Sequence, residues 1–255
     1  MSILDSFRLD GKVALVTGSN RGLGQAMTIA LAEAGARVIG VSRGASADET
    51  AQTIEATGQS YSHVQADLSM FNAQMCQELI DGLVSVHGRL DILVNNAGII
   101  RRTPAIDFSE ADWDDVLQVN LKAAFFLAQS AAQHMMGQGG KIINVASMLS
   151  YQGGITVPSY TASKHGMVGI TRALANEWAQ HGINVNAIAP GYMATDNTAA
   201  LRANPERNPA IVARIPAGEW GKPEDLQGAV VFLASAASSY VHGTVLDVDG
   251  GWLAR

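Results

Sequence analysis

"TGSNRGLG", residues 17 to 24, lies between a β-branched run, "KVALVT" (12 to 17), and a segment of helical periodicity at about 23 to 34. Glycines at 18, 22 and 24 let the backbone turn tightly and approach a pyrophosphate, which the N-terminus of the following helix holds through free N–H groups and its dipole. Tight turns that bind nothing also select glycine. The strand before this loop and the helix after it make a dinucleotide cradle the stronger reading.

Working outward, six more short apolar runs follow: "RVIGVS" (37 to 42), "SHVQA" (62 to 66), "LDILVNN" (90 to 96), "KIINVAS" (141 to 147), "INVNAIA" (183 to 189) and "TVLDVDG" (244 to 250). Helical spacing lies between them at about 46 to 57, 71 to 87, 109 to 137, 159 to 180 and 223 to 235. The alternation predicts an α/β fold: one doubly wound, Rossmann-type domain over residues 1 to 255, with a seven-stranded parallel sheet and helices on both faces. The stretch from about 190 to 221, rich in Asn, Ala and Pro, is too long for an ordinary connection and reads as an irregular substrate lid.

Composition excludes several function classes. With 47% hydrophobic and 16% charged residues the chain is not disordered, and its net charge of −6 speaks against nucleic acid as a partner. Asp5 and Asp10 interrupt any leader-like run, and no apolar stretch nears the roughly 20 residues of a membrane span. The single cysteine, Cys76, cannot form an intrachain disulfide and reads as a buried small residue. A cytoplasmic protein is expected, with no membrane contact. No His, Cys or carboxylate cluster has ligand spacing, so no metal is expected.

Further motifs follow the glycine loop in order: "NNAG" (95 to 98), Asn120, Ser147 thirteen residues before Tyr160 in "YTASK", Lys164 four beyond it, and "PG" (190 to 191). With the Gly-x-x-x-Gly-x-Gly spacing, this set resembles the short-chain dehydrogenase/reductase family from about residue 10 to the C-terminus. Tyr160 and Lys164, four apart on a helix, share a face. An unperturbed phenol titrates too high for efficient base catalysis near neutrality, and an adjacent ammonium favours the phenolate, so Tyr160 reads as the acid/base. Ser147, ending strand five, reads as the hydrogen-bond donor to a developing alkoxide. The resemblance implies that Lys164 holds the nicotinamide ribose, and that Asn120 kinks its helix and holds a relay water. Ser150, Ser159 and Ser163 read as caps or ordinary hydroxyls.

At the end of strand two an acidic side chain would bind the adenosine ribose hydroxyls, but Ser42 and Arg43 stand there, with Arg21 in the glycine loop. Two cations and a hydroxyl suit a 2′-phosphate, which favours NADP(H). A solvated Arg43, or one stacked on adenine, would leave NAD(H) open. The resemblance makes Asp67 the adenine contact. It implies further cofactor contacts at Asn20, Gly22, Leu23 and Leu68, at Asn95, Ala97 and Gly98, and at Pro190, Gly191, Met193 and Thr195.

The substrate must border the loops that follow the strands. Arg101 and Arg102 in "GIIRRTP" (98 to 104), Met148, Gln152, Tyr192, Arg214 and Trp220 form a polar, cationic set that suits a small hydroxylated acid better than a steroid or long acyl chain. Arg102 is the first choice to clamp a carboxylate; the alternative is an ion pair of Arg101 or Arg102 with Asp107 or Glu110. Stretches such as "NEWAQHGINVNAIAPGYMATDNT" and "RIPAGEWGKPEDL" resemble the sugar-acid 5-dehydrogenase branch, commonly linked to NAD(H), which interconverts a C5 ketone and alcohol. A 3-oxoacyl carrier-protein reductase and a non-catalytic dinucleotide-binding regulator remain as other readings. The family resemblance also implies a homotetramer built through helices 109 to 137 and 159 to 180 and the C-terminal strand. Trp252 and Leu253 are expected to pack on the body or a neighbour, with Arg255 reaching another subunit's site.

Overall fold

All seven expected strands are present in the computed structural model of the chain, which describes residues 2–44 and 47–255. They are β1 (Val13–Thr17), β2 (Arg37–Ser42), β3 (Tyr61–Gln65), β4 (Ile92–Asn95), β5 (Gly140–Val145), β6 (Ile183–Pro190) and β7 (Val245–Val248). Every pairing is parallel, in the order β3-β2-β1-β4-β5-β6-β7. β1 and β6 are buried at every position, as expected of strands covered on both faces. Successive side chains serve opposite cores: Val13 and Leu15 join α3 (Ala73–His87) and α5 (Ala123–Met135), while Ala14 and Val16 join α1 (Gly22–Glu33) and α9 (Gln227–Ala234). Cys76 lies in the first of these cores, where burial pushes its thiol up to about 11.

The chain runs outward through β1, β2 and β3 and then returns to place β4 beside β1. That reversal opens a crevice at the carboxyl ends of the strands, the usual ligand position in such sheets. Among the described residues, no helix is long and apolar enough to cross a membrane.

Three expectations change. The helix predicted at 109 to 137 is two helices, α4 (Glu110–Leu117) and α5, joined by a π turn over Gln118–Lys122. The predicted helix at 46 to 57 is α2 (Asp48–Glu55); Ala45 and Ser46 lie outside the described residues. The stretch from 190 to 221 is not irregular. It holds α7 (Ala199–Ala203) and α8 (Arg207–Val212), the first made of good helix formers and the second starting where Asn204 Oδ1 accepts from the N–H groups of Glu206 and Arg207 at 3.0 and 2.8 Å. Pro209 falls in the first turn of α8, where its missing donor costs nothing. Ile211 and Ile215 then bury this stretch against Met148 and Trp252.

Candidate active site

The glycine loop follows β1 directly. Gly18 and Gly22 adopt φ of 69° and 55°, in the left-handed region, and a Cβ on Gly24 would collide with the Gly18 carbonyl oxygen. Arg21 caps α1 without a side-chain hydrogen bond, so first-turn N–H groups stay available to an anion. Thr17 Oγ1 accepts from the N–H groups of Asn96 and Ala97 at 3.0 and 2.9 Å, while Asn96 Nδ2 donates to the carbonyls of Thr17 and Gly18 at 2.8 and 3.2 Å. This network locks the loop to the segment after β4. Asn96, which the sequence did not single out, lines the cleft with Ala97 and Gly98. Asn95 does not line it: buried beneath, it donates to Asn144 Oδ1 and to the Ala124 carbonyl. One step along a strand reverses the side chain, which accounts for the one-residue error.

Asn20, Leu23, Leu68, Pro190, Gly191, Met193 and Thr195 also line the cleft. At the expected 2′-phosphate end, Ser42 lies at the cleft wall, but its hydroxyl donates to the Gly44 carbonyl at 3.2 Å and meets His63 Nε2 at 2.7 Å. The sequence could not show His63, because that contact depends on the pairing of β2 with β3. Arg21 forms an exposed ion pair with Asp196 at 3.4 Å, whereas Arg43 has no ion-pair partner among the described residues. Asp67 accepts from the Ser69 N–H at 3.0 Å, and hydrogen bonds from Ser69, reinforced by the charge of Arg43, hold its carboxyl below the ordinary range.

Ser147, Tyr160 and Lys164 converge on this cleft. Ser147 follows β5 and accepts from the Leu149 N–H at 3.1 Å; Tyr160 and Lys164 project from α6 (Pro158–Trp178). Lys164 Nζ donates to the Val145 carbonyl at 2.5 Å and lies 5.6 Å from the centre of the Tyr160 ring. An ammonium there keeps two further donors. Burial pushes Lys164 down to about 8. Burial also holds the Tyr160 phenol above its ordinary value, against the lowering influence of the Ser147 hydroxyl and of the Arg102 charge. The expected lowering is therefore outweighed in the free protein.

Asn120 occupies the π turn and is almost fully buried. Its Oδ1 accepts from the Ile99 N–H at 2.8 Å, and Nδ2 donates to the Ile99 carbonyl and to Ser163 Oγ at 2.9 and 3.2 Å. Both amide hydrogens are committed, which leaves only the second lone pair of Oδ1 for a water. Ser163 and Ser150 act locally, donating to the carbonyls of Tyr160 and Lys164.

The two arginines of "GIIRRTP" separate. Arg101 pairs with Asp112 at 3.1 Å and Asp115 at 3.2 Å, three positions apart and so on one face of α4, rather than with Asp107 or Glu110. Arg102 donates to the Asn197 carbonyl at 3.2 Å and, among the described residues, has no carboxylate partner. Met148, Gln152 and Tyr192 line the same end. Trp220 does not; it backs Tyr192 with ring centres 5.2 Å apart, its Nε1 donating to Asn208 Oδ1. Trp252, far away in sequence, is buried against the 190 to 221 stretch and lines the cleft. Arg255 bonds to the Ala213 carbonyl of its own chain at 3.0 Å.

A doubly wound sheet with a dinucleotide-sized crevice and a partly buried phenol beside an amine defines a class, the nicotinamide-dependent oxidoreductases. A family model described as Enoyl-(Acyl carrier protein) reductase matches residues 18–253. The chain belongs to the short-chain dehydrogenase/reductase family. It is 56% identical over 255 residues to 2-dehydro-3-deoxy-D-gluconate 5-dehydrogenase of Escherichia coli (strain K12), covering 99% of this chain and 100% of that one. To the enzyme of the same name from Bacillus subtilis (strain 168) it is 52% identical over 254 residues, covering 98% of each. Among solved structures, a gluconate 5-dehydrogenase from Burkholderia cenocepacia J2315 in complex with NADP and tartrate superposes with a TM-score of 0.93 at 39% identity, covering all of both chains.

Proposed function

We propose that this enzyme transfers a hydride between NADP(H) and C5 of a deoxy-keto sugar acid, with Tyr160 as the acid/base. The observation that carries the substrate class is Arg102, a cleft guanidinium without a carboxylate partner among the described residues, whose charge is felt at the Tyr160 phenol. The names of the similar enzymes support the same class, and the bound NADP of the Burkholderia protein supports the coenzyme. Arg43, exposed and without an ion pair among the described residues, is the residue assigned to the 2′-phosphate.

The open glycine loop and the free N–H groups of α1 fit a dinucleotide pyrophosphate. A nicotinamide held in this crevice would supply or accept the hydride. In reduction, Tyr160 gives its phenolic proton to the carbonyl oxygen, and the Ser147 hydroxyl donates a hydrogen bond to the growing negative charge. Lys164 would hold the nicotinamide ribose with one remaining donor and return a proton to Tyr160 from the other, its own proton being restored from solvent through the relay water. Asn120 positions Ile99 at the cleft wall and offers its spare lone pair to the relay water. Residues 190 to 221 serve as the lid. The reading extends to a homotetramer in the cytoplasm, assembled through α4 to α6 and β7; a monomer in sedimentation at micromolar concentration would remove the tetramer.

Steady-state rates test the function. NADPH should be oxidised with 4-deoxy-5-keto-hexuronate and with 2,5-diketo-3-deoxygluconate, more efficiently than NADH, and not with acetoacetyl thioesters; turnover of thioesters alone overturns the reading. Arg102→Leu should raise KM for the hexuronate roughly tenfold or more, the cost of one charge-assisted hydrogen-bonded pair, while the Kd for NADPH barely moves. An unchanged KM refutes the assignment.

The pH dependence has opposite signs in the two directions. Burial keeps Tyr160 protonated through neutrality in the free enzyme, so kcat/KM for reduction should be level there and fall only as alkali removes the phenolic proton. Oxidation needs the phenolate and should rise over that alkaline range. Parallel profiles in both directions would exclude Tyr160 as the titrating group.

A further inference from the structure

Two guanidiniums of the cleft, Arg207 and Arg214, are not used by the proposed chemistry, and Arg214 is the one whose side chain the fold holds in place. Arg214 follows α8 in a segment anchored by buried Ile211 and Ile215. Its Cζ lies 4.0 Å from the centre of a Trp252 ring, and its Nη2 donates to Gln152 Oε1 at 3.2 Å. Trp252 is fixed in turn. Asp249 accepts from the N–H groups of Gly251 and Leu253, each at 2.8 Å, and Tyr192 packs edge-on with ring centres 4.8 Å apart.

Arg214 is exposed and lines the cleft, and among the described residues no carboxylate lies within ion-pair distance of it. A guanidinium seated over an indole still has N–H donors to offer a carboxylate. Three separated segments hold this cation in place without supplying it an anion. The field at this end is distinct from that of Arg102: the charges of Arg207 and Arg214 act on Tyr192, whereas that of Arg102 reaches Tyr160. The substrate half therefore has two separately held cations, Arg102 at the Asn197 carbonyl and Arg214 on Trp252 and Gln152.

We propose that Arg214, seated on Trp252 and Gln152, is a second carboxylate subsite, and that the two arginines sort sugar acids by how far the carboxylate lies from the reacting carbon. Arg102 takes a carboxylate bonded directly to that carbon, as in a 5-keto-hexuronate. Arg214 takes one four bonds away, as in a 5-keto-hexonate. This rests on the sugar-acid reading and divides that class in two.

A crossed experiment tests it, with Arg102→Leu and Arg214→Met each assayed on 4-deoxy-5-keto-hexuronate and on 2,5-diketo-3-deoxygluconate. Arg214→Met should raise KM for the hexonate at least about tenfold more than for the hexuronate, and Arg102→Leu should show the reverse bias, the factor expected from one charge-assisted pair. Unchanged NADPH affinity and thermal midpoint separate this from misfolding. If Arg214→Met does not fold, Gln152→Ala should show a smaller bias of the same sign. A wild-type enzyme that turns over both acids, with variants that shift both KM values equally or neither, overturns the sorting and leaves the sugar-acid reading standing. A wild type inactive on both acids removes the two together.

Discussion

Tyr160→Phe is expected to lower kcat by about 10²- to 10⁴-fold, the range contributed by a positioned acid/base. The substitution deletes one oxygen and keeps the ring that faces Lys164, so packing around α6 is retained. NADPH should still bind, because Lys164, the glycine loop and Arg43 are untouched, and a fluorescence titration would measure that directly. The loss should fall on kcat rather than KM, since the proton is transferred in the transition state and not on binding. Retention of a tenth or more of the wild-type kcat would move the acid/base role to another group.

Gly24→Ala should fail at an earlier stage. The added methyl would press on the Gly18 carbonyl and on the Asn96 amide, which itself donates to the carbonyls of Thr17 and Gly18. Neither neighbour is the free end of a flexible chain, so the loop must move away from α1. Overpacking of this kind costs about 1–3 kcal/mol. The displacement also pulls the helix N-terminus from the pyrophosphate, so NADPH affinity should fall by more than tenfold with a lowered thermal midpoint. Gly58→Ala is the contrast: its Cβ would meet nothing within 4 Å, and only the strain of φ 80° would register. Equal cofactor affinity in the two variants would deny the glycine loop its role.

The strands were readable because a sheet covered on both faces demands apolar runs: β1 is apolar up to Thr17, and β6 keeps Ile183, Val185, Ala187 and Ile188 around two buried asparagines. The positions of Ser147, Tyr160 and Lys164 were readable because helix spacing and strand ends determine which side chains share a face. What was hidden depends on contacts between distant segments. Arg101 selects Asp112 and Asp115 because of how the chain enters α4, and nothing in "GIIRRTP" states that entry. His63 reaches Ser42 only through strand pairing, and Trp252 meets Arg214 across 38 positions of sequence. The Asn95 error has a local cause, a single step in an alternating strand at the rim of the cleft.

The π turn at Gln118–Lys122 has a consequence for how this chain tolerates changes in length. α4 rests on α6 while α5 rests on α3, and the widened turn between them takes up about one residue more than an α turn. Deleting one residue there would restore a uniform helix and leave the two halves close to their present phases. The loss would fall on the turn itself, where Asn120 would swing off Ile99. A shortened turn is therefore expected to spare the packing of α5 and to cost the wall of the cleft.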